Sequence, residues 1–325
     1  MIKAISQVGV IRSGANRRAR FRRAACTLSC AFSTTLAAIA SHGLFAQPPS
    51  SSTPPSAVSP ATAVSVPPLS NEEAQALVKR VLKTEIDSTG DSSHPMQYHL
   101  HKVSPRVATT KRIVETRDGD VARLIAVNGN PLSVEDQQKE SIRLEQLLSD
   151  PSLQRHRQER ERGDADRARK VIRALPDAFQ YTFAGVVETL HGPSYRLTFQ
   201  PNPGFDPDDL EAQVLKGMAG ELWIDVAQQR VTRLEGKRIR DVDYGFGLLG
   251  KLDQGGTLVL EQADVGNHQW RTTHMVLVMN ARLLFKVVKL DTTLDLSQFS
   301  PVAAGMSYQQ AVQLLQEKPA AEAGR

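Results

Sequence analysis

The 325-residue chain has only two cysteines, Cys26 and Cys30, and both lie in its first 46 residues. The body beyond them has no thiol, which excludes disulfides, thiolate zinc sites and cysteine nucleophiles there. Aromatic residues make up only 5% of the chain, so any place where they cluster carries information. After residue 46 no segment reaches the roughly 18 uninterrupted apolar residues of a membrane-spanning helix. Acidic residues are absent from the first 46 positions, which hold seven bases: Lys3, Arg12, Arg17, Arg18, Arg20, Arg22 and Arg23. The formal charge of +5 is therefore concentrated at the start, and positions 47–325 carry 33 basic and 35 acidic side chains, a net charge of −2. Such a body has little sequence-wide attraction for phosphate backbones, so no nucleic-acid partner is expected.

What is present begins with a leader. Residues 1–46 read as a secretory signal: a basic n-region ends at residues 17–23, and an apolar stretch follows at 24–40, short for a membrane span. Cleavage is expected after Ala46, which places the body outside the cytoplasm. An uncleaved leader would instead tether it to the membrane. Residues 47–70 hold seven prolines, seven serines and no charge. Rich in proline and serine and poor in large apolar side chains, residues 47–69 cannot bury a core and are expected to form an extended linker.

The folded domain is expected over 70–300, with 301–325 as a C-terminal helix and loose tail. Ser70 and Glu73 have capping-box spacing, and Ala74, Leu77, Val78, Val81 and Leu82 then recur on one helical face. Strand-like pieces follow at 96–103, 111–117 and 121–128, with Asp118-Gly119 as a hairpin turn. Residues 133–175 are charged and helical in character. Leu144, Leu147 and Leu148 form one stripe; Ala165, Ala168, Ile172 and Leu175 form a second. Asp150-Pro151 and Gly163 punctuate them into two or three helices. Positions 154–173 hold eight bases and four acids, read as a solvated surface in preference to an electropositive docking face. From Ala178 the chain alternates apolar and polar residues in run after run. Residues 283–290, apolar on both faces, are expected to be a central strand. A short helical excursion is expected at 206–217, and a last helix at 307–317. The order of helix, strands, helices and many strands predicts an α+β fold on one large antiparallel sheet.

Catalytic and nucleotide motifs fail on context. Residues 245–251, Gly-Phe-Gly-Leu-Leu-Gly-Lys, match a Gly-rich loop. That motif needs a buried strand before it and a helix after it to present amide groups to phosphate. Neither flank supplies one, so a loop between strands is expected. His99 and His101 share a strand face and His94 lies near, but no carboxylate pattern completes a metal set. No G-x-S-x-G elbow occurs, and Trp223 and Trp270 are expected to pack the sheet. Six of the fourteen aromatics after residue 46 fall between Phe179 and Phe205. Along each strand they occupy alternate positions and so point to one side. That side is either a filled core beneath helices or a cavity with the helices as its lid.

The segment 220–225, Gly-Glu-Leu-Trp-Ile-Asp, followed by 228–235, QQRVTRLE, resembles the W-I-D … R-V … E strand pair of the outer-membrane lipoprotein carrier (LolA/LolB-like) superfamily. The hairpin at 112–132 with Asn128-Gly129, and the order of elements over roughly 69–299, are similar too. The resemblance implies a strongly curved antiparallel sheet, an unclosed half-barrel wrapped around a helical lid, whose concave face holds acyl chains. The expected partner is a lipid or acylated protein, with envelope membrane proteins as further candidates; a monomer is expected, and, since the motifs above fail, no cofactor and no catalysis. The lining nominated is Phe179, Tyr181, Phe183, Tyr195, Leu197, Phe199, Leu222, Ile224, Met275, Leu277 and Phe285, with Leu144, Leu147 and Leu148 as lid contacts. The alternatives are an envelope structural or interaction protein with the same sheet and a filled core, and, less favoured, a hydrolase.

Overall fold

The computed structural model describes Met1, Lys3 and residues 67–88, 93–189, 191–244, 250–283 and 286–317. The leader from residue 4, the linker to residue 66, residues 245–249, Phe285 and the tail from 318 lie outside the described residues.

Helix α1 spans Asn71–Ser88. It starts where the capping box predicts: the Ser70 amide donates to Glu73 Oε2 (2.8 Å) and the Glu73 amide to Ser70 Oγ (3.2 Å). Its apolar stripe, Ala74, Leu77, Val78, Val81 and Leu82, is buried. Three strands follow, β1 (Met96–Ser104), β2 (Val107–Val114) and β3 (Val121–Val127), with the two-residue β4 (Asn130–Pro131). β2 ends earlier than its sequence suggests. Residues 115–120 form a wide turn in which the Thr116 hydroxyl donates to the Gly119 carbonyl and Gly119 adopts φ +93°.

Helices α2 (Val134–Ser149) and α3 (Pro151–Ala178) come next. Asp150 ends the first and caps the second, with Pro151 opening α3, where a missing amide hydrogen costs nothing. Gly163 does not break α3. The buried positions continue past it to Ala168, Ile172 and Leu175, and ion pairs Asp164–Arg167 and Asp166–Arg169 support the exposed side.

The remaining strands are β5 (Phe179–Thr189), β6 (Gly192–Pro201), β7 (Met218–Asp225), β8 (Val231–Arg238), β9 (Val242–Tyr244), β10 (Gly250–Leu252), β11 (Thr257–Asp264), β12 (Trp270–Leu283) and β13 (Lys286–Pro301). A short α4 (Leu210–Gln213) interrupts them, and α5 (Tyr308–Gln316) closes the chain with a Ser307/Gln310 capping box. The stretch 283–290 is not one central strand. Leu283 ends β12 and Lys286 begins β13, and Val287 is 59% exposed. The Gly-rich segment lies between β9 and β10, which pair antiparallel with Gly250 opposite Tyr244. No helix follows it to receive a phosphate.

All thirteen strands join one sheet in the order β4-β3-β2-β1-β13-β12-β11-β8-β7-β6-β5, with β9 and β10 attached beside β12. Every pairing is antiparallel, and β4 and β5 remain as edges, so the sheet is an open half-barrel in an α+β fold. Register shifts in five pairs, among them Phe183/Val186 against β6 and Trp223/Ile224 against β8, add the local twist that bends so wide a sheet. Among the described residues no helix is long and apolar enough to cross a membrane.

Candidate functional site

The inner face of the sheet is built by register. Phe183 lies opposite Leu197, Leu197 opposite Leu222, and Leu222 opposite Leu234. Leu234 pairs with Leu260, Leu260 with Met275, and Met275 with Leu294. Because directly paired residues share a face, these residues make one apolar row across β5, β6, β7, β8, β11, β12 and β13. A parallel row runs through Tyr181, Phe199, Gly220, Gly236, Leu258 and Leu277. At Gly236 a Cβ would lie 2.8 Å from Met218 Cε, with Phe199 Cζ at an ordinary contact distance of 3.6 Å. Gly220 tolerates no side chain, since a Cβ there would sit 1.9 Å from the Glu235 carbonyl oxygen.

Most of the nominated lining is brought together here. Phe179, Tyr181, Leu197, Phe199, Leu222, Ile224, Met275 and Leu277 are buried in one cluster, with Phe183 and Tyr195 half-buried against it. Phe179 and Phe199 rings lie 4.5 Å apart, and Phe183 meets Tyr195 edge-on at 6.2 Å. Phe285 lies outside the described residues. Sequence reading missed Leu234, Leu260 and Leu294. Leu294 is flanked by Thr and Asp, so only its strand partners reveal its face.

Two helices cover this face, and they are α1 and α3, through Leu77, Val81, Ala168, Ile172 and Leu175 among others. The nominated lid contacts go elsewhere. Leu144 and Leu147 are buried with Val114, Val121, Tyr308 and Leu315, where α2 and α5 pack on β2 and β3, and Leu148 is exposed. Glu140 of α2 clamps that position by accepting from the Leu124 amide (2.7 Å). α2 is thus a wall on the sheet's edge, and the covering belongs to α1 and α3.

Polar links hold the covering helices to each other and to the sheet. Gln75 of α1 donates to the Pro176 carbonyl of α3, and the Tyr181 hydroxyl donates to the Leu175 carbonyl at 3.1 Å. At the end of α1, buried Glu85 accepts from Arg230 Nε (2.8 Å) and from Gln262 Nε2 (3.2 Å). At the start of α3, Gln154 and Gln158 donate to carbonyls of the 115–120 turn, and Glu161 accepts from the Asp120 amide (3.0 Å).

An acidic group sits beside the apolar wall at Tyr98, which stacks on Phe299 with ring centroids 5.3 Å apart. Glu115, Asp120 and Glu161 converge there. Burial, reinforced by the Asp120 charge, pushes the Glu161 carboxyl up to about 7. Burial likewise raises Asp120, against the pull of Lys3. Lys3 Nζ lies 2.7 Å from Glu115 Oε1 and 3.3 Å from both Asp120 carboxylate oxygens. Burial disfavours its charge, but Asp120 and Glu115 outweigh that and hold the ammonium above its usual pKa. The Lys3 side chain is 47% exposed.

A cleft of about 340 Å³ opens at the end of β5 and β6, lined by Ala178, Pro201, Phe205, Lys216 and Arg240 among others. It adjoins the main cluster through Phe205. Among the described residues no group of three histidine, cysteine or acidic side chains could hold a metal. His101 Nδ1 instead pairs with Thr110 Oγ1 (3.0 Å) and His94 Nδ1 with Ser93 Oγ (2.8 Å). Trp270 is buried, and Trp223 lies under the Arg233 guanidinium at 5.6 Å.

The architecture is that of an α+β half-barrel whose apolar concave side is covered by two helices. Two solved structures are similar to it. A Vibrio parahaemolyticus domain assigned to outer-membrane lipoprotein sorting matches at 10% identity over 76% of this chain and 100% of its own, with TM-score 0.29. A DUF1329 family protein from Desulfovibrio piger matches at 12% identity over 72% of this chain and 95% of its own, with TM-score 0.26. No family model and no curated protein matches the chain.

Proposed function

We propose that the chain carries a hydrophobic guest, a lipid or the acyl chain of a lipoprotein, against the concave face of its sheet, in the periplasm and without catalysis. The observation that carries this reading is the apolar row from Phe183 to Leu294, covered by the apolar stripes of two helices. The strand ladder of the sheet forms without α1 and α3, so moving the helices aside breaks side-chain contacts and the polar links at the helix ends. An acyl chain entering beneath them restores apolar burial at about 0.8 kcal/mol per methylene, which for ~16 carbons approaches roughly 12 kcal/mol at the upper limit. The helices' own apolar stripes and a guest compete for one surface.

A second reading is an envelope structural protein with a permanently filled interior. It is favoured by the tight Phe179–Phe199 packing and by the full burial of Leu197, Leu260 and Leu294. One titration separates the two. The native chain is mixed with a solvatochromic naphthalene dye, alongside the variant Phe183→Asp. Carriage predicts saturable uptake by the native chain and its loss in Phe183→Asp, with a smaller fall in melting temperature. A filled core predicts no native uptake, and Phe183→Asp then only destabilises.

A further inference from the structure

The acidic group beside Tyr98 is costly as it stands. Glu115 is 8% exposed, and three carboxylates in one partly dry place repel one another unless cations join them. Within the domain Arg157 acts on both Asp120 and Glu161. The other cation comes from 112 residues upstream in the chain: the Lys3 ammonium, on Glu115 and Asp120. Close by, the Met1 ammonium donates to Gln262 Oε1 (3.0 Å), and the Met1 side chain packs on the main apolar cluster. The end of the chain thus places an ammonium on the carboxylates and an apolar chain on the sheet, side by side.

We propose that Glu115, Asp120 and Glu161, with the apolar wall at Tyr98, form a seat for a primary ammonium joined to an apolar chain, and that Met1 and Lys3 occupy it as an internal ligand. The inference rests on the carriage reading above and adds to it the headgroup of the guest. The geometry selects a primary ammonium. Glu115 Oε1 and the Asp120 carboxylate approach one nitrogen at hydrogen-bond distance, which needs a donor with N–H bonds on several sides. A quaternary ammonium has none, and a carboxylate is repelled. If export removes the leader, Lys3 leaves with it. The site is then closed in the precursor and open in the processed chain.

The test uses the full-length chain as wild type, Lys3→Gln and Lys3→Gln with Asp120→Asn, titrated with dodecylammonium, dodecyltrimethylammonium and dodecanoate. Lys3→Gln is expected to bind dodecylammonium about tenfold more tightly than wild type, and Asp120→Asn in that background to abolish the gain. The other two probes should gain little. Should the double variant fail to fold, as read by its circular dichroism melt, Glu161→Gln in the Lys3→Gln background takes its place. Equal affinity of wild type and Lys3→Gln for dodecylammonium overturns the proposal. An equal gain for all three headgroups also overturns it, while leaving hydrophobic carriage standing. No binding of any probe to any variant overturns both.

Discussion

Glu161 couples the covering helix to the pH of the surroundings. Its carboxyl titrates at about 7 in the fold, against an ordinary value of 4.5, chiefly because it is buried and secondly because Asp120 lies beside it. A folded state that holds its proton more tightly than the unfolded state is favoured while that proton is bound. Stability contributed by this group is therefore full below about pH 4.5 and falls as pH rises towards about 7. Thermal melts of the wild type should show that fall, and Glu161→Gln should flatten it; an unchanged slope in the variant contradicts the assignment. Gly220 makes a steric demand of a different kind. A methyl group there would meet the Glu235 carbonyl, which is backbone and cannot turn aside. Gly220→Ala should lower unfolding stability by about 2 kcal/mol in urea titrations, in the range of overpacking. The glycine is visible in the sequence, but its partner strand is not, so nothing local distinguishes it from a glycine in a turn.

Among the elements, α1 depends on its last turn. Glu85 is buried and joins Arg230 and Gln262, which come from the entry to β8 and from β11. Replacing it with Ala leaves a nearly buried guanidinium without its carboxylate, and a loss of about 3 kcal/mol is expected by denaturation. If the helices are the movable cover, Glu85→Ala should also raise dye uptake at temperatures where the fold persists. The start of α1 was legible because Ser70 and Glu73 carry their capping chemistry within four residues. The boundary at Asp150-Pro151 was legible for the same reason. The destinations of the helices were not. The stripe of Leu144 and Leu147 says that α2 packs on something, and only the fold says that this is β2, β3 and α5 and not the aromatic row. Likewise residues 283–290 carry apolar residues of two strands, β12 and β13, and composition alone joins them into one.

For the molecule as a whole, the alternation of Phe179, Tyr181, Phe183, Tyr195, Leu197, Phe199, Leu222 and Ile224 was enough to orient one face of a large antiparallel sheet. The burial of that face follows from the same pattern. What the pattern leaves unstated is register: Leu234, Leu260 and Leu294 complete the row only through the pairing of their strands, of which β8 with β11 passes over two strands in sequence. The acidic seat was equally out of reach, because Lys3, the 115–120 turn with Glu115 and Asp120, and Glu161 come from three separate places in the chain. The central claim is that the covered apolar face exchanges its helices for a fatty guest. Native mass spectrometry of the chain, purified from its host without detergent, tests this most directly. The account predicts a population carrying one bound molecule of lipid mass, lost in Phe183→Asp. A single species at the mass of the bare polypeptide, unchanged after incubation with excess lipid, would contradict it.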